Sequence, residues 1–326
     1  MSKVKYKIGG FGELEYGNSS SSLHPKALKL QSARSALFLF LSNVVCRKIY
    51  IPSYVCDVIL PVFKTLKIEA VFYQLDDRML PDSVDLNSLL DGEFLLLVNY
   101  FGLCDKEIES YLYSHDAHRS KVIIDNSQSL FSEPLDCSAT VYSPRKFLGI
   151  ADGGYLYTDV SLNNNYPKLF FDGMSHIDHL YLRMKGEISL GYEKFLASES
   201  EFTQLQPLFM SQISESLVDS YDLESIKIAR VENYKKLDDE FSKINLSNLS
   251  LHSQSVPLCY PLVMSENVTN ICRELIPKGI YLPRYWPRSN NYMYENTLFL
   301  PIDHRLKFAD VRFLIESLYK LLKKYG

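Results

Sequence analysis

The sequence lacks the features that mark membrane, secreted and nucleic-acid-binding proteins. No apolar run reaches the roughly 18 residues that a membrane-spanning helix needs, and the first ten residues, MSKVKYKIGG, lack the apolar core of a signal peptide. With a net charge of −4 and 23% charged residues, the chain offers no basic surface for nucleic acid or an anionic membrane. These absences predict a cytoplasmic protein that binds small molecules.

Motifs for disulfides, metals and dinucleotides are also missing. The six cysteines are scattered without a C-x-x-C pair, which argues against a disulfide framework or a zinc site. The pairs His115/His118 and His176/His179 lack the H-E-x-x-H context, so we predict no metal. No G-x-G-x-x-G follows a predicted strand, which argues against a nicotinamide-linked dehydrogenase.

The chain does contain an alternation of short apolar runs and helical patterns. Predicted helices lie at 33–45, 54–65 and 106–114, and predicted strands at 48–52, 68–73, 94–98, 122–124, 139–142 and 155–158. The run Phe94 to Val98 is wholly apolar, as in a central parallel strand. The rhythm predicts an α/β fold with an open, mostly parallel sheet covered by helices on both faces.

Beyond residue 159 the pattern changes. We predict irregular helices over 168–215, a long helix over 224–244, and then strands at 256–263, 279–282 and 297–300, with a helix at 267–276. In the final helix, a repeat of three and four residues predicts an apolar face formed by Phe308, Val311, Ile315, Leu318, Leu322 and Tyr325. We therefore predict a lead-in segment over 1–26, a large α/β domain over 27–210 and a small α+β domain over 211–326.

The stretch from Lys121 to Thr158 carries the strongest chemical signal. Asp125 ends one predicted strand, and Lys146 lies in the turn Ser-Pro-Arg-Lys after the next. Carboxyl ends of strands are where open α/β sheets bind ligands. An acid and an amine at this edge suit pyridoxal phosphate, whose ring nitrogen needs a carboxylate and whose aldehyde is held by a lysine. A turn-capping acid and a solvated lysine fit the same residues, so both interpretations stay open at this point.

A helix start provides a second candidate element. Ser32 precedes the apolar helix and is a suitable N-cap. The free N–H groups and the positive dipole end of such a helix attract anions such as phosphate, although Ser32 also fits a plain cap on a core helix.

Together these motifs resemble those of the DegT/DnrJ/EryC1/StrS family of pyridoxal-phosphate-dependent aminotransferases, which have the aspartate-aminotransferase-like fold type I. The resemblance runs from about Gly9 to the final helix, and its matching elements are Ser-Ala-Arg-Ser-Ala-Leu at 32–37 (family S-G-T-x-A-L), Ile-Pro-Ser-Tyr at 51–54, Asn-Tyr-Phe-Gly at 99–102, Asp-Asn-Ser-Gln at 125–128 (D-A-A-Q), Lys146 with Asp-Gly-Gly at 152–154 (K-x5-E-G-G), and Leu-Pro-Ile-Asp at 300–303. It implies fold type I, with a large parallel-sheet domain and a small C-terminal α+β domain.

The resemblance also implies residue roles. Lys146 and Asp125 would be catalytic, Lys146 by holding the cofactor and moving a proton and Asp125 by pairing with the ring nitrogen. The other implied cofactor-binding residues are Ala33 and Arg34 at the phosphate, Tyr54 or Cys56 against the ring face, Gln128 near the ring hydroxyl, and Ser143 as the nearest hydroxyl to the phosphate.

Substrate contacts are predicted from two aromatic segments. Tyr100 lies in the strand-end turn that leads toward the cofactor, and Arg284 and Trp286 stand together in Arg-Tyr-Trp-Pro-Arg. An arginine beside aromatic rings suits an acidic, planar ligand such as a nucleotide diphosphate. A tryptophan that packs the small domain onto the large one explains Trp286 equally well.

The chain departs from the family pattern at two places. Val141 stands where the family has serine five residues before its lysine, and the G-x-N-x-R segment that reaches the partner subunit is not recognisable. The aromatic and charged segment 168–200 still predicts a homodimer interface. The resemblance implies transfer of an amino group from an amino acid to a keto-sugar, nucleotide-linked, in O-antigen, other polysaccharide or secondary-metabolite biosynthesis. A dehydratase or lyase that uses the same cofactor, and a non-catalytic binding protein, are the alternatives.

Overall fold

The computed structural model describes residues 23–287 and 292–325. Its strands are β1 Leu28–Leu30, β2 Lys48–Pro52, β3 Glu69–Tyr73, β4 Glu93–Val98, β5 Val122–Asn126, β6 Ala139–Tyr142, β7 Gly154–Tyr157, β8 Cys259–Val263 and β9 Thr297–Pro301. Its α-helices are α1 Ala33–Leu41, α2 Leu60–Leu66, α3 Asp105–Ser114, α4 Asp178–Met184, α5 Ile188–Glu201, α6 Gln212–Ser220, α7 Leu223–Phe241, α8 Thr269–Leu275, α9 Tyr292–Asn296 and α10 Phe308–Tyr325.

Seven strands form one sheet in the order β1-β7-β6-β5-β4-β2-β3. The pairs from β6 through β3 are parallel, and β7 is antiparallel to both neighbours. The register aligns Val98 with Asp125 and Asp125 with Val141, so the carboxyl ends of β4, β5 and β6 meet at one edge. This sheet confirms the predicted α/β fold class.

Helix α1 begins where its sequence predicts. The N–H of Ser35 donates to Ser32 Oγ over 3.1 Å, which is the N-cap interaction that starts a helix. Residues 35–41 are all buried, so the helix is a central element of the core. It ends at Leu41, four residues before the end of its predicted apolar run, and Val45 is exposed.

The C-terminal part contains the antiparallel pair β8–β9, packed with α7, α8 and α10. Its core is continuous with that of the large sheet: Phe101 packs on Phe299 with ring centroids 5.2 Å apart, and the N–H of Leu258 donates to the Phe101 carbonyl over 2.8 Å. The predicted domain boundary near residue 210 stays a prediction, and most of the predicted lead-in segment lies outside the described residues.

Two predictions about this part were wrong. Residues 279–282 form no strand, and the second sheet of the described residues consists of β8 and β9. In α10 the buried residues are Val311, Leu314, Ser317, Leu318 and Leu321. Val311 and Leu318 are buried as predicted, and Ile315, Leu322 and Tyr325 pack against the core. The prediction was wrong for Phe308, which is 66% exposed. Among the described residues, no helix is long and apolar enough to cross a membrane.

The packed face of α10 predicts a stability difference. Leu314→Ala should destabilise the fold by about 2–5 kcal/mol, because it leaves a cavity against neighbouring helices. Phe308→Ala should cost less than about 1 kcal/mol, because its ring is mainly in solvent. Melting temperatures of the two variants measure this, and an equal or larger loss for Phe308→Ala would contradict the packing of α10.

Candidate active site

Three elements converge on one cavity at the carboxyl edge of the large sheet. Asp125 is the second-last residue of strand β5 and is partly buried. Lys146 ends the 3₁₀ turn Pro144–Lys146 that follows β6, and it is exposed. The first turn of α1 completes the site. Ligands of open α/β sheets bind at such edges because the carboxyl ends of parallel strands meet there.

The cavity has a volume of about 410 Å³ and contains six of the predicted site residues. These six are Ala33, Arg34, Cys56, Asp125, Ser143 and Lys146. A surface cleft of about 460 Å³ near residues 163–169 and 206–208 contains none of them. The structure therefore gathers most of the predicted cofactor-binding set in one place.

The Asp125 carboxylate is oriented by its own turn. Asp125 Oδ1 accepts a hydrogen bond from the N–H of Ser127 over 2.8 Å. This local bond restrains the side chain at the point where the strand ends. Val141, the neighbour of Asp125 in β6, also lines the cavity and contributes an apolar wall.

The start of α1 is in close main-chain contact with the segment after Lys146. The N–H of Gly153 donates to the Gln31 carbonyl over 2.8 Å. A Cβ added to Gly154 would lie 2.0 Å from the Ser32 carbonyl carbon and 2.3 Å from Ala33 N, which no side chain tolerates. Glycine is therefore required where β7 meets the helix start.

Arg34 turns from the first turn of α1 toward α5. Its Nη1 donates to the Phe202 carbonyl, and its Nε is buried without a hydrogen-bond partner among the described residues. Burial lowers the pKa of Arg34, and the nearby Glu199 opposes that change. The side chain of Arg34 lines the cavity, so its positive charge lies beside the helix start.

Cys56 lines the cavity as a neutral thiol. Burial raises its pKa, and the positive charge of Lys146 acts in the opposite direction. The thiolate is the nucleophilic form, so a raised pKa makes Cys56 a packing group rather than a reactive one.

The sequence matches no protein-family model and no curated protein, but the structure resembles known ones. Helicobacter pylori PseC, an aminotransferase involved in the biosynthesis of pseudoaminic acid, is 16% identical with a TM-score of 0.63, over 91% of this chain and 87% of that one. The putative sugar aminotransferase Spr1654 from Streptococcus pneumoniae, in its pyridoxal phosphate form, is 14% identical with a TM-score of 0.62, over 92% and 88%. A DegT/DnrJ/EryC1/StrS aminotransferase from Brucella abortus is 16% identical with a TM-score of 0.60, over 90% and 85%. This chain has the fold of these aminotransferases.

Within the aminotransferase fold, two predicted cofactor-binding residues lie outside the cavity. Tyr54 is fully buried and stacks on Tyr100, with ring centroids 5.7 Å apart at 17°. Gln128 is buried, its Oε1 accepts from the N–H of Phe101 over 3.1 Å, and its Nε2 has no partner among the described residues. Of the two predicted ring neighbours, Cys56 is the one that reaches the cavity.

The predicted substrate-binding residues also lie elsewhere. Tyr100 is fully buried, and Trp286 is 9% exposed and packs against Tyr54 with ring centroids 4.6 Å apart. Arg284 donates to Cys272 Sγ and lies 4.4 Å from the Tyr294 ring. This is the arrangement expected of a packing tryptophan, and it gives no support to a substrate contact for Tyr100, Arg284 or Trp286.

The cavity also contains residues that sequence reasoning missed. Phe195, Glu199 and Phe202 come from α5 and its end, and Arg145 directly precedes Lys146. No motif marks the α5 residues, because they reach the site through tertiary packing alone. For Arg145, its position directly before the predicted lysine was the sequence signal that could have placed it at the site.

The contact at Gly154 predicts a link to phosphate binding. Gly154→Ala should displace the start of α1 and weaken affinity for pyridoxal phosphate by roughly tenfold or more, the scale of one lost charge-assisted hydrogen bond. Equilibrium titration followed by absorbance measures this. Gly149→Ala is the control, since its Cβ would meet only Tyr221 Oη at 3.6 Å. Unchanged affinity in a folded Gly154→Ala protein would show that the phosphate is not bound at this helix start.

Proposed function

We propose that this protein is a pyridoxal-phosphate-dependent aminotransferase of the DegT/DnrJ/EryC1/StrS type. It would transfer an amino group from an amino acid donor to a keto-sugar, nucleotide-linked, in polysaccharide or secondary-metabolite biosynthesis. One observation carries this proposal: Asp125, Lys146 and the N-terminus of α1 share a single cavity. The fold, which the sugar aminotransferases share, agrees with it.

The groups in the cavity fit the three polar ends of the cofactor. A carboxylate suits the protonated ring nitrogen, an amine suits the aldehyde, and a helix start beside the positive charge of Arg34 suits the phosphate. Ala33 and Arg34 would donate to the phosphate, with Ser143 beside them. Cys56 and Val141 would pack against the ring.

When bound, the cofactor supplies an electron sink for a carbanion next to nitrogen. Asp125 would keep that sink effective, because a carboxylate beside the ring nitrogen favours its protonated form. Lys146 would hold the cofactor covalently and, once released, its Nζ would take and return the proton at the reacting carbon. Leu96, Val141 and Leu258 contribute apolar surface to the cavity, while Lys146 itself is exposed.

Two alternatives use the same fold. A non-transaminase enzyme would bind the cofactor and fail to exchange amino groups. A non-catalytic binding protein would need neither Asp125 nor Lys146, yet the cavity contains both. The presence of this pair favours the enzyme.

We also propose that the protein acts as a homodimer. Apolar side chains of the segment 166–196 are exposed on the single chain, namely Tyr166, Leu169, Phe170, Met174, Tyr181, Met184, Leu190, Tyr192 and Leu196. Exposed apolar patches of this kind mark interaction sites, and two-fold dimers are the commonest soluble oligomer. Leu190, Tyr192 and Leu196 lie on α5, whose Phe195 and Glu199 line the cavity, so a partner subunit would lie close to the site.

Borohydride reduction tests the cofactor assignment. The cofactor-loaded protein should be yellow, and reduction should bleach the band and fix the cofactor to Lys146, as measured by peptide mapping. An adduct on another lysine would refute the assignment. Exposed Lys194 on α5 provides the matched control: Lys194→Arg should keep the adduct, and Lys146→Arg should lose it.

The same preparation tests Asp125. Asp125→Asn should still be fixed at Lys146 but transaminate roughly 10³- to 10⁴-fold more slowly, on the scale of other substitutions that disturb a catalytic protonation state. Near-normal turnover would show that Asp125 does not hold the ring nitrogen.

Light scattering tests the assembly. The native protein should have twice the mass of one chain, and Met184→Glu with Tyr192→Glu should shift it toward monomer, because charge is costly in an apolar interface. A wild-type protein that is monomeric while it retains the cofactor would rule out the dimer.

A further inference from the structure

We infer that Arg145 binds a carboxylate group of the substrate in the cavity. Before the substrate binds, the Arg145 guanidinium pairs with Glu199, and the substrate carboxylate then replaces Glu199. This inference rests on the proposed function, in which an amino acid donor enters the cavity. It assigns a residue that the sequence motifs leave without a role.

The position of Arg145 suits this role. It directly precedes Lys146 in the turn Pro144–Lys146, and both side chains line the cavity. The Arg145 guanidinium carbon lies 4.1 Å from the centre of the Phe202 ring. An aromatic face beneath a guanidinium restrains its plane and leaves its edge free to pair with a carboxylate.

Glu199 already provides a carboxylate at that edge. Its Oε1 accepts from Arg145 Nη2, and both side chains line the cavity. The Arg145 side chain is 15% exposed, whereas that of Glu199 is 36% exposed. The arginine is therefore the more embedded partner, and Glu199, on helix α5, is the one that solvent and ligands reach.

The charges of the cavity leave Arg145 available to a ligand. The lining contains three cationic side chains, Arg34, Arg145 and Lys146, and two carboxylates, Asp125 and Glu199. The proposed function commits Lys146, Asp125 and Arg34 to the cofactor. Arg145 then remains, with Glu199 as its acidic partner among the described residues.

Exchange of Glu199 for a ligand is energetically easy. An ion pair whose carboxylate is open to solvent contributes little net free energy, so its loss costs little. A ligand carboxylate held in two parallel hydrogen bonds by a restrained guanidinium gains more than that. An amino acid donor brings such a carboxylate next to Lys146, where its amino group must react.

Calorimetry with glutarate tests this, because glutarate is a dicarboxylate without an amino group to transfer. On cofactor-loaded protein, Arg145→Gln should weaken glutarate binding by roughly tenfold or more, the scale of a lost charged hydrogen bond. Glu199→Gln should tighten it, by roughly threefold, because the competing carboxylate is gone. Arg119→Gln, whose guanidinium pairs with Asp116 and Asp136 outside the cavity, is the matched control and should leave it unchanged.

If the ion pair is purely structural, Glu199→Gln should have the opposite effect on glutarate binding. If Arg145 and Glu199 only attach α5 to the rest of the site, both substitutions should weaken glutarate binding and lower the melting temperature together. That result overturns the inference. Arg145→Lys adds a further check, since it keeps the charge but loses the planar pair of donors, and should recover only part of the affinity.

Two further outcomes separate this inference from the proposed function. Loss of the cofactor absorbance in Arg145→Gln alone, or binding of uridine diphosphate that depends on Arg145 when glutarate binding does not, would assign Arg145 to a phosphate and overturn the carboxylate role. A wild-type protein that takes up no pyridoxal phosphate would instead overturn the proposed function. The same glutarate titrations on that protein would still decide the role of Arg145.

Discussion

The close approach of Gly154 to the main chain of Ser32 and Ala33 is the contact on which the site depends. It attaches the segment that follows Lys146 to the first turn of α1, where a Cβ would lie 2.0 Å from a backbone carbon. The register of β5 with β6 then sets Asp125 beside Val141 at the same edge. Lysine, carboxylate and helix start thus have fixed positions relative to one another because main-chain contacts, rather than flexible side chains, hold them.

A buried acid, Asp152, also holds the segment that follows Lys146 in place. Asp152, two residues before Gly154, is fully buried and accepts hydrogen bonds from Ser211 N–H, Ser211 Oγ and Ser214 Oγ. Burial raises the pKa of its carboxyl group, and the serine donors oppose that shift. Because Ser211 is also the N-cap of α6, one carboxylate joins the site segment to the start of that helix. The Asp-Gly-Gly sequence therefore has two structural roles, an anchor followed by a close contact.

Helix α5 forms part of the cavity wall although no sequence motif marks it. Its residues Phe195 and Glu199 line the cavity together with apolar groups such as Val141. Arg34 and Arg145 both contact the end of this helix, through the Phe202 carbonyl and the Phe202 ring. A single helical segment thus forms one wall of the cavity and determines where two cationic side chains lie.

Local chemistry in the sequence determined the elements and the core of the site. Ser32 caps the first turn of α1, and the run Phe94 to Val98 is apolar enough to be a central strand. Asp125 and Lys146 lie at or just after the carboxyl ends of neighbouring parallel strands, which places them at the same edge of the sheet. Only the tertiary structure decided which faces are buried and which distant residues reach the cavity. The apolar repeat in α10 does not determine which of its apolar residues are buried. Its contacts with α7 and α8 bury Leu314 and leave Phe308 exposed. An aromatic cluster in the core is formed by Tyr54, Tyr100 and Trp286, and Glu199 lines the site. The stacking of Tyr54 on Tyr100 and the position of Glu199 were not predicted, because packing between segments far apart in the chain has no local sequence signature.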